Sequence, residues 1–351
     1  MTKPKLLNVG IDLGTSRSVI ACDNGMRMFL PSYVGFPKDS VSQKMLGKKV
    51  VFGEETLRHR MSLDFFRPIE AGVLKHSDDP DKDPGGYGKT VEVARTLLAH
   101  LVEQVTAEEE GDVVLRGVIG APALASRKNK KALLDISKGI FETVMIASEP
   151  FCVAYGLGHL SNALVIDIGA GTVDLCRMHG TVPDEADQIT TFKAGDTIDQ
   201  VFYELITKKY PEAGLTVNMV KRFKEENATV SDHGDAIFIE LPVNGKPEML
   251  DVTEELRGAC REIVPHIVAG IKKLVATYDP EFQNELKNKV ILAGGGSQII
   301  GLAKEIEDFM HTALGSGRVT RIEEPLYAGA NGALMLAKDM PDEYWYELSE
   351  A

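Results

Sequence analysis

Two short segments of the chain place an aspartate at the end of an apolar stretch and just before a glycine turn. They are Asp12-Leu13-Gly14-Thr15-Ser16 and Asp167-Ile168-Gly169-Ala170-Gly171-Thr172. Glycine lets the main chain approach a ligand closely, and successive backbone N–H groups can close around phosphate oxygens. A single copy is more often only a tight turn. Two facing copies can clamp the β- and γ-phosphates of a nucleotide while their carboxylates hold hydrated Mg²⁺.

A third glycine segment, Ala293-Gly294-Gly295-Gly296-Ser297, follows an apolar stretch. Taken alone, it fits a close approach of helix and strand as well as it fits a ligand site. Beside the two aspartate turns it is better interpreted as the floor of an adenosine site. The chain has no GxxxxGK[ST] motif, and GIDLGTS lacks the GxGxxG pattern, so P-loop and dinucleotide-binding folds are excluded.

The two aspartate turns each lie between strand-like stretches, which predicts β-hairpins over 6–22 and 163–176. Superposing the hairpins places Asp12 over Asp167 and Gly14 over Gly169, so the chain contains an internal repeat. At 351 residues it also exceeds the roughly 150 residues of one ordinary domain. We therefore expect two related lobes with a cleft between them.

The remaining pattern is an α/β alternation with two interruptions. The stretch 251–278 is predicted to be one long helix despite Pro265, and Ser148-Glu149-Pro150 is predicted to be a turn between a strand and a helix that bridges the lobes. The other predicted elements are strands at 114–125, 143–147 and 289–293, helices at 126–140, 151–160 and 301–314, and, within 195–257, one helix and a strand pair around 236–243.

Composition narrows the function classes. Hydrophobic residues make up 44% and charged residues 26% of the chain, the balance of a globular protein. Lys and Arg total 39 against 52 Asp and Glu, so the surface should repel nucleic acid. The four cysteines form no CxxC pair and are expected to be buried thiols in a reducing compartment. The start, Met1 to Leu7, resembles no signal peptide and no apolar run could span a bilayer, so a cytoplasmic location is expected.

The order of hairpin, Glu-Pro turn, second hairpin and triple-glycine turn resembles the superfamily of actin, sugar kinases and heat-shock chaperone ATPases over nearly the whole chain. Within it, the chain is similar to bacterial actins, and more to the magnetosome cytoskeleton branch than to the cell-shape branch. The cell-shape branch shares the nucleotide motifs and a turn that here reads Ala194-Gly195-Asp196. The segments carrying the resemblance are GIDLGTS, VGFPKD, EAGV, SEPFCVAYGL, VIDIGAGTVDL, HGTVPDEADQITTFKAG, LAGGGSQI and DEYWYEL.

The resemblance implies an actin-like ATPase fold of the α/β class, with a mixed five-stranded sheet flanked by helices in each lobe. The first lobe would comprise 1–155 and 325–351, with a small inserted subdomain at 32–89. The second would comprise 156–324, with an insertion at 195–257.

The resemblance also implies roles for individual residues. Asp12 and Asp167 would hold Mg²⁺ through water, and Glu149 would orient the water that attacks the γ-phosphate. Lys221, Lys224 and Glu225 fall near the adenosine-contacting Lys/Glu pair of the family, but a solvated helix face fits them equally well. Arg17 departs from the lysine of eukaryotic actins. The implied ATP ligands are Gly14, Thr15, Ser16, Gly169, Ala170, Gly171, Thr172, Gly195, Lys221, Glu225, Gly294, Gly295, Gly296 and Ser297.

The implied function is an ATPase that polymerises into cytoplasmic filaments that position magnetosomes. Its partners would be copies of itself and magnetosome-associated adaptors, without nucleic acid and without insertion into the membrane. A cell-shape filament protein is the nearer alternative and a small-molecule kinase the more distant one. A chaperone would need a substrate-binding domain, for which only about 27 residues remain beyond Glu324.

Overall fold

The computed structural model describes the backbone of residues 4–350 and the side chains of residues 4–346. The described chain forms two compact units, one of residues up to Leu160 and from Leu326 onward, the other of Ser161–Pro325. The lobe bounds 1–155 with 325–351 and 156–324 stay a prediction. Met1 to Lys3, part of the segment on which the expectation about targeting rests, lie outside the described residues, as does Ala351.

The first unit contains ten strands and seven α-helices among the described residues. The strands are β1 (Lys5–Leu13), β2 (Arg17–Cys22), β3 (Arg27–Pro31), β4 (Val34–Pro37), β5 (Val51–Phe52), β6 (Leu63–Phe66), β7 (Ile69–Glu70), β8 (Val73–Leu74), β9 (Val113–Ala121) and β10 (Thr143–Ser148). The helices are α1 (Ser40–Leu46), α2 (Glu54–Arg58), α3 (Pro84–Thr106), α4 (Arg127–Ser137), α5 (Glu149–Leu157), α12 (Ala328–Asp339) and α13 (Asp342–Glu350).

The main sheet of the first unit has the order β10-β9-β1-β2-β3. β1 pairs in parallel with β9 and antiparallel with β2, as the predicted hairpin requires. Val9 and Gly10 lie on opposite faces of β1 and both are buried, because helices cover both sides of the sheet. α3 begins at the cap Asp83, which accepts the Gly86 N–H at 2.9 Å, and buries its apolar stripe against this sheet.

Glycines allow α12 to lie directly on β1 and α5. A Cβ on Gly10 would lie 2.1 Å from the Ala330 carbonyl oxygen, and one on Gly332 would lie 1.8 Å from the Cys152 carbonyl oxygen. No side chain fits at either point. The backbones of β1, α5 and α12 therefore meet without intervening side chains.

The segment predicted as an insertion at 32–89 forms a three-stranded sheet, β5-β4-β6, and the small hairpin β7–β8. Ala71 and Gly72 join β7 to β8 with positive φ of 50° and 73°. Two successive residues with positive φ form the type I′ turn that matches the twist of a hairpin.

The second unit contains seven strands and six α-helices. The strands are β11 (Ser161–Ile168), β12 (Val173–His179), β13 (Gln188–Thr191), β14 (Phe238–Val243), β15 (Lys246–Asp251), β16 (Val290–Ala293) and β17 (Val319–Arg321). The helices are α6 (Gly195–Lys209), α7 (Val217–Asn227), α8 (Thr253–Arg261), α9 (Val264–Ala276), α10 (Gln283–Lys287) and α11 (Leu302–Leu314).

The main sheet of the second unit repeats the topology of the first. Its order is β13-β12-β11-β16-β17, with an antiparallel hairpin on one side of β11 and parallel strands on the other. β11 and β12 thus correspond to β1 and β2, which confirms the internal repeat. Asp12 and Asp167 lie near the ends of the equivalent strands β1 and β11.

Three local predictions were wrong. The stretch 251–278 is broken into α8 and α9, because Pro265 has no N–H to donate to the Arg261 carbonyl and is tolerated only in the first turn of α9. Residues 195–257 contain α6, α7 and the start of α8 rather than one helix. Glu149 is the first residue of α5 rather than part of a turn, and α5 ends at Leu157 within the first unit.

The four cysteines are buried free thiols, as predicted. Burial raises the pKa of Cys260 to about 12 and raises that of Cys176 as well, so both thiols are unreactive. Among the described residues no helix has the length and apolar character needed to cross a bilayer.

The close contact at Gly332 predicts that Gly332→Ala is destabilising. The added methyl group would overlap the Cys152 carbonyl, and such overpacking typically costs about 1–3 kcal/mol, of which helix propensity offsets at most ~1 kcal/mol. Gly88→Ala is the matched control, because Gly88 lies in α3 with no atom within 4 Å of its added Cβ. Urea unfolding should show Gly332→Ala destabilised and Gly88→Ala unchanged or stabilised. Equal stabilities would contradict the packing.

Candidate nucleotide-binding site

The first aspartate turn is held by a buried serine that the sequence did not indicate. The Ser32 hydroxyl donates to the Gly14 carbonyl at 2.7 Å, and the Ser32 N–H donates to the Ser16 carbonyl at 2.9 Å. The Ser18 hydroxyl lies 2.8 Å from that of Ser32. Because Ser32 is fully buried, these bonds fix the conformation of the turn without competition from water.

Thr15 links the same turn to the insertion. Its hydroxyl accepts the Gly72 N–H at 2.8 Å, and the side chain is buried. The donor belongs to the type I′ turn of β7–β8, where Ala71 adopts a left-handed conformation that costs a non-glycine residue about 1–2 kcal/mol. The surrounding contacts must offset this cost. The position of the insertion is thus coupled to that of the first aspartate turn.

Asp12 and Glu149 lie on either side of Gly120. Asp12 is opposite Gly120 in the pairing of β1 with β9, and the Glu149 Cγ is 3.1 Å from the position of a Cβ on Gly120. A Cβ on Gly329, in the first turn of α12, would lie 3.2 Å from an Asp12 carboxylate oxygen. Burial raises the pKa of Asp12 to about 6. A cation beside this carboxylate would favour its charged form.

The second aspartate turn is closed by the Gly169 N–H, which donates to the Thr172 carbonyl at 2.9 Å. Asp167 is opposite Asp174 on β12 and opposite Ala293 on β16. Asp174 is buried and accepts the Thr190 hydroxyl at 2.6 Å. Two carboxylates facing each other across neighbouring strands repel, which also favours a nearby cation.

The N-terminus of α6 packs against the second aspartate turn. The Gly195 N–H donates to the Gly169 carbonyl at 3.1 Å, and the Asp196 N–H donates to the Ala170 carbonyl at 2.7 Å. A Cβ on Gly195 would come within 3.1 Å of the Ala170 Cα. The partial positive charge of a helix N-terminus therefore lies beside Gly169–Thr172, where an anion would be stabilised.

α7 supports α6 through a buried ion pair. The Lys224 ammonium lies 2.6 Å from an Asp199 carboxylate oxygen and donates to the Gly195 carbonyl at 2.9 Å. Burial raises the pKa of Asp199 despite Lys224, and burial lowers the pKa of Lys221, one turn away on α7. Glu225 is exposed. Of the three residues left open by the sequence, Lys224 is thus engaged in positioning α6.

The triple-glycine turn passes directly against the end of β11. A Cβ on Gly294 would lie 2.2 Å from an Asp167 carboxylate oxygen, and one on Gly296 would lie 2.2 Å from the Ile168 side chain. The Ser297 hydroxyl closes the turn by donating to the Gly294 carbonyl at 2.7 Å. The glycines are therefore required by close backbone packing, whether or not an adenosine also contacts them.

The predicted residues thus form two clusters, one in each unit. Asp12, Gly14–Ser16 and Glu149 come together in the first, and Asp167, Gly169–Thr172, Gly195, Lys224 and Gly294–Ser297 in the second.

The sequence did not indicate Ser32, Gly72, Gly120, Asp199 and Gly329. Only the Ala71-Gly72 pair carried a local signal, that of a hairpin turn. Among the described residues, no group of three or more His, Cys, Asp or Glu could hold a metal ion.

Two five-stranded sheets of the same topology, each with an aspartate turn at the end of its central strand, define an actin-like protein. The family model described as MreB/Mbl protein matches residues 6–343, and the chain belongs to this family. It is 38% identical over 344 residues to the actin-like protein MamK of Magnetospirillum gryphiswaldense, covering 98% of this chain and 92% of the relative.

Two solved structures are similar as well. A MamK double helical filament matches with a TM-score of 0.89 at 37% identity, covering 96% of this chain and all of the other. A non-polymerising point mutant of MamK bound to AMPPNP matches with a TM-score of 0.71 at 37% identity over the same shares. The predicted actin-like fold, and the resemblance to bacterial actins of this branch, are confirmed.

The buried pair of α6 and α7 predicts that Lys224→Met is strongly destabilising. Removing one member of such a pair leaves a buried charge without its partner and typically costs about 3–5 kcal/mol of unfolding free energy. Asp199→Asn combined with Lys224→Met should recover part of the loss, because no carboxylate is then left unpaired. Chemical denaturation of the wild type, both single variants and the double variant tests this. Additive losses in the double variant would contradict the pairing.

Proposed function

We propose that this chain is an ATP-binding protein that polymerises into cytoplasmic filaments and hydrolyses ATP as the filaments turn over. The observation that carries the proposal is the repeated arrangement of an aspartate and a glycine turn at the end of β1 and of β11. Two such turns supply matched backbone donors and carboxylates for one nucleoside triphosphate with its cation. The MamK filament and the AMPPNP-bound MamK mutant, both 37% identical to this chain, support it.

In this proposal the phosphates are bound by Gly14–Ser16 of the first turn and Gly169–Thr172 of the second. The first turn of α6 at Gly195 adds its helix dipole. The Gly294–Ser297 turn, with Lys221 and Glu225, would contact the nucleoside. Ser32 and Lys224 would not touch the ligand and would instead hold the two turns in the conformations that bind it.

Asp12 and Asp167 are the residues that would hold Mg²⁺, through water. Carboxylate oxygens suit this hard cation, and two protein ligands are usual because Mg²⁺ retains much of its hydration shell. Burial raises the pKa of Asp12, and a cation beside this carboxylate would favour its charged form. The cation would neutralise phosphate charge as the γ-phosphate leaves.

Glu149 is the proposed positioning residue for the attacking water. Its side chain is buried against Gly120, beside the strand position of Asp12, and its place at the start of α5 fixes the direction of the side chain. A carboxylate here accepts a hydrogen bond from water and aligns it with the γ-phosphate, an effect felt mainly in the transition state.

The cellular role we propose is the positioning of magnetosomes by filaments of this chain, with adaptor proteins linking the polymer to the organelles. The identity to proteins named MamK over nearly the full chain supports this role over that of a cell-shape filament. Neither nucleic acid nor insertion into the membrane forms part of the proposal.

Assembly should depend on nucleotide. With ATP and Mg²⁺ the purified chain should sediment as filaments that negative-stain microscopy shows to be paired or bundled, and with ADP or no nucleotide it should remain largely in the supernatant. The physical reason is that only the γ-phosphate contacts distinguish the assembling state. A chain that stays in the supernatant with ATP at concentrations where related filaments pellet would overturn the proposal.

Glu149→Gln should separate assembly from hydrolysis. The amide keeps the volume against Gly120 but is a much weaker acceptor, so ATP should still bind and filaments should still pellet, while phosphate release slows by about 10²-fold or more. Filaments should then be long-lived. Glu108→Gln, an exposed position outside both clusters, is the control. If pelleting and phosphate release are lost together, Glu149 is structural, and if neither changes, another residue positions the water.

A further inference from the structure

α4 carries a row of basic residues on its exposed face. Arg127, Lys130, Lys131 and Leu134 are all exposed and follow the spacing i, i+3, i+4, i+7, so they lie along one side of the helix over about 10 Å. We call these four residues the basic stripe. The opposite side of α4 is buried through Ala132, Leu133 and Ile136, which fixes the orientation of the stripe toward solvent.

The cations of the stripe are not neutralised within the described part of the chain. No carboxylate there forms an ion pair with Arg127, Lys130 or Lys131, whereas the neighbouring Lys138 pairs with Asp135 at 2.7 Å. The chain as a whole carries a net charge of −13. A row of unpaired positive charges on a protein of net negative charge is a local attractive site for an anion.

The acidic groups beside the stripe restrict what can bind. Lys128 turns away from it and donates to the Asp78 carbonyl at 3.0 Å, and the Asp78 carboxylate lies 3.4 Å from the Ser126 hydroxyl. Asp135 also lies on this flank. A broad anionic plane such as a membrane would meet these carboxylates and the net negative charge of the chain, whereas a narrow linear anion would not.

We propose that the basic stripe binds an acidic peptide segment of a partner protein. Carboxylates spaced along the segment would pair with Arg127, Lys130 and Lys131. An apolar side chain of the segment would cover Leu134, which is 39% exposed at the end of the stripe. Arg127 offers a bidentate contact to a carboxylate, while the lysines accept a range of positions.

Each contact is weak, since exposed ion pairs contribute little on their own. In a filament, however, the stripe recurs on every subunit, so a partner with several acidic segments would gain about 10²–10⁴ in apparent affinity from multivalency. This step alone rests on the proposed function. Binding of one segment to one stripe does not depend on assembly.

The test uses a fluorescein-labelled oligoglutamate peptide with a central leucine, measured by fluorescence anisotropy on the unassembled full chain without nucleotide. The stripe variant carries Arg127→Gln, Lys130→Gln and Lys131→Gln. The control variant carries Lys208→Gln, Lys272→Gln and Lys273→Gln, which removes the same charge from exposed positions of α6 and α9. We expect Kd to rise about tenfold or more in the stripe variant only, and to rise with salt in the wild type.

Four outcomes would overturn the proposal. The peptide could bind all three proteins equally, or an oligoglutamine peptide could bind as well as oligoglutamate. The stripe could instead bind phosphatidylserine-containing vesicles and not the peptide, which would make it a lipid site. Finally, the stripe variant could fold normally, by circular dichroism, yet fail to pellet with ATP while the control variant pellets, which would make the stripe a contact between subunits.

Discussion

Backbone packing without side chains is the constraint on which both halves of this protein depend. α12 lies on β1 because Gly10 leaves room for the Ala330 carbonyl, and it lies on α5 because Gly332 leaves room for the Cys152 carbonyl. In the second unit, Gly294 and Gly296 let the triple-glycine turn run against Asp167 and Ile168. Each contact is too short for a Cβ atom, and interiors at native packing density cannot absorb such overlap.

This packing determines where the reactive groups lie. The Asp12 carboxylate packs against the backbone at the start of α12. The Asp167 carboxylate packs against the backbone of the triple-glycine turn. Burial then raises the pKa of Asp12. The same arrangement occurs twice because the two sheets share one topology.

A second layer of contacts connects the aspartate turns to more distant elements. Thr15 reaches the β7–β8 turn of the insertion, and Lys224 on α7 fixes the start of α6 with Asp199. These contacts couple the conformation of each aspartate turn to elements outside the turn. Ion pairs and hydrogen bonds of this kind are buried, so their geometry is well defined.

The sequence by itself determined the two hairpins, the internal repeat, the actin-like fold class and the residues of both aspartate turns. The hairpins, the repeat and the aspartate turns follow from local patterns: apolar runs, Asp-x-Gly turns and their recurrence about one domain apart. The actin-like fold class was implied by the resemblance to bacterial actins. It did not determine the break between α8 and α9, where the loss of one hydrogen bond at Pro265 outweighed a continuous amphipathic pattern. Nor did it indicate Ser32, Gly120, Asp199 or Gly329. Their importance arises from contacts between residues far apart in the chain, and only the tertiary structure brings those residues together. The same holds for Lys224, which the sequence left among three neighbours on one helix and which the fold joined to Gly195 and Asp199.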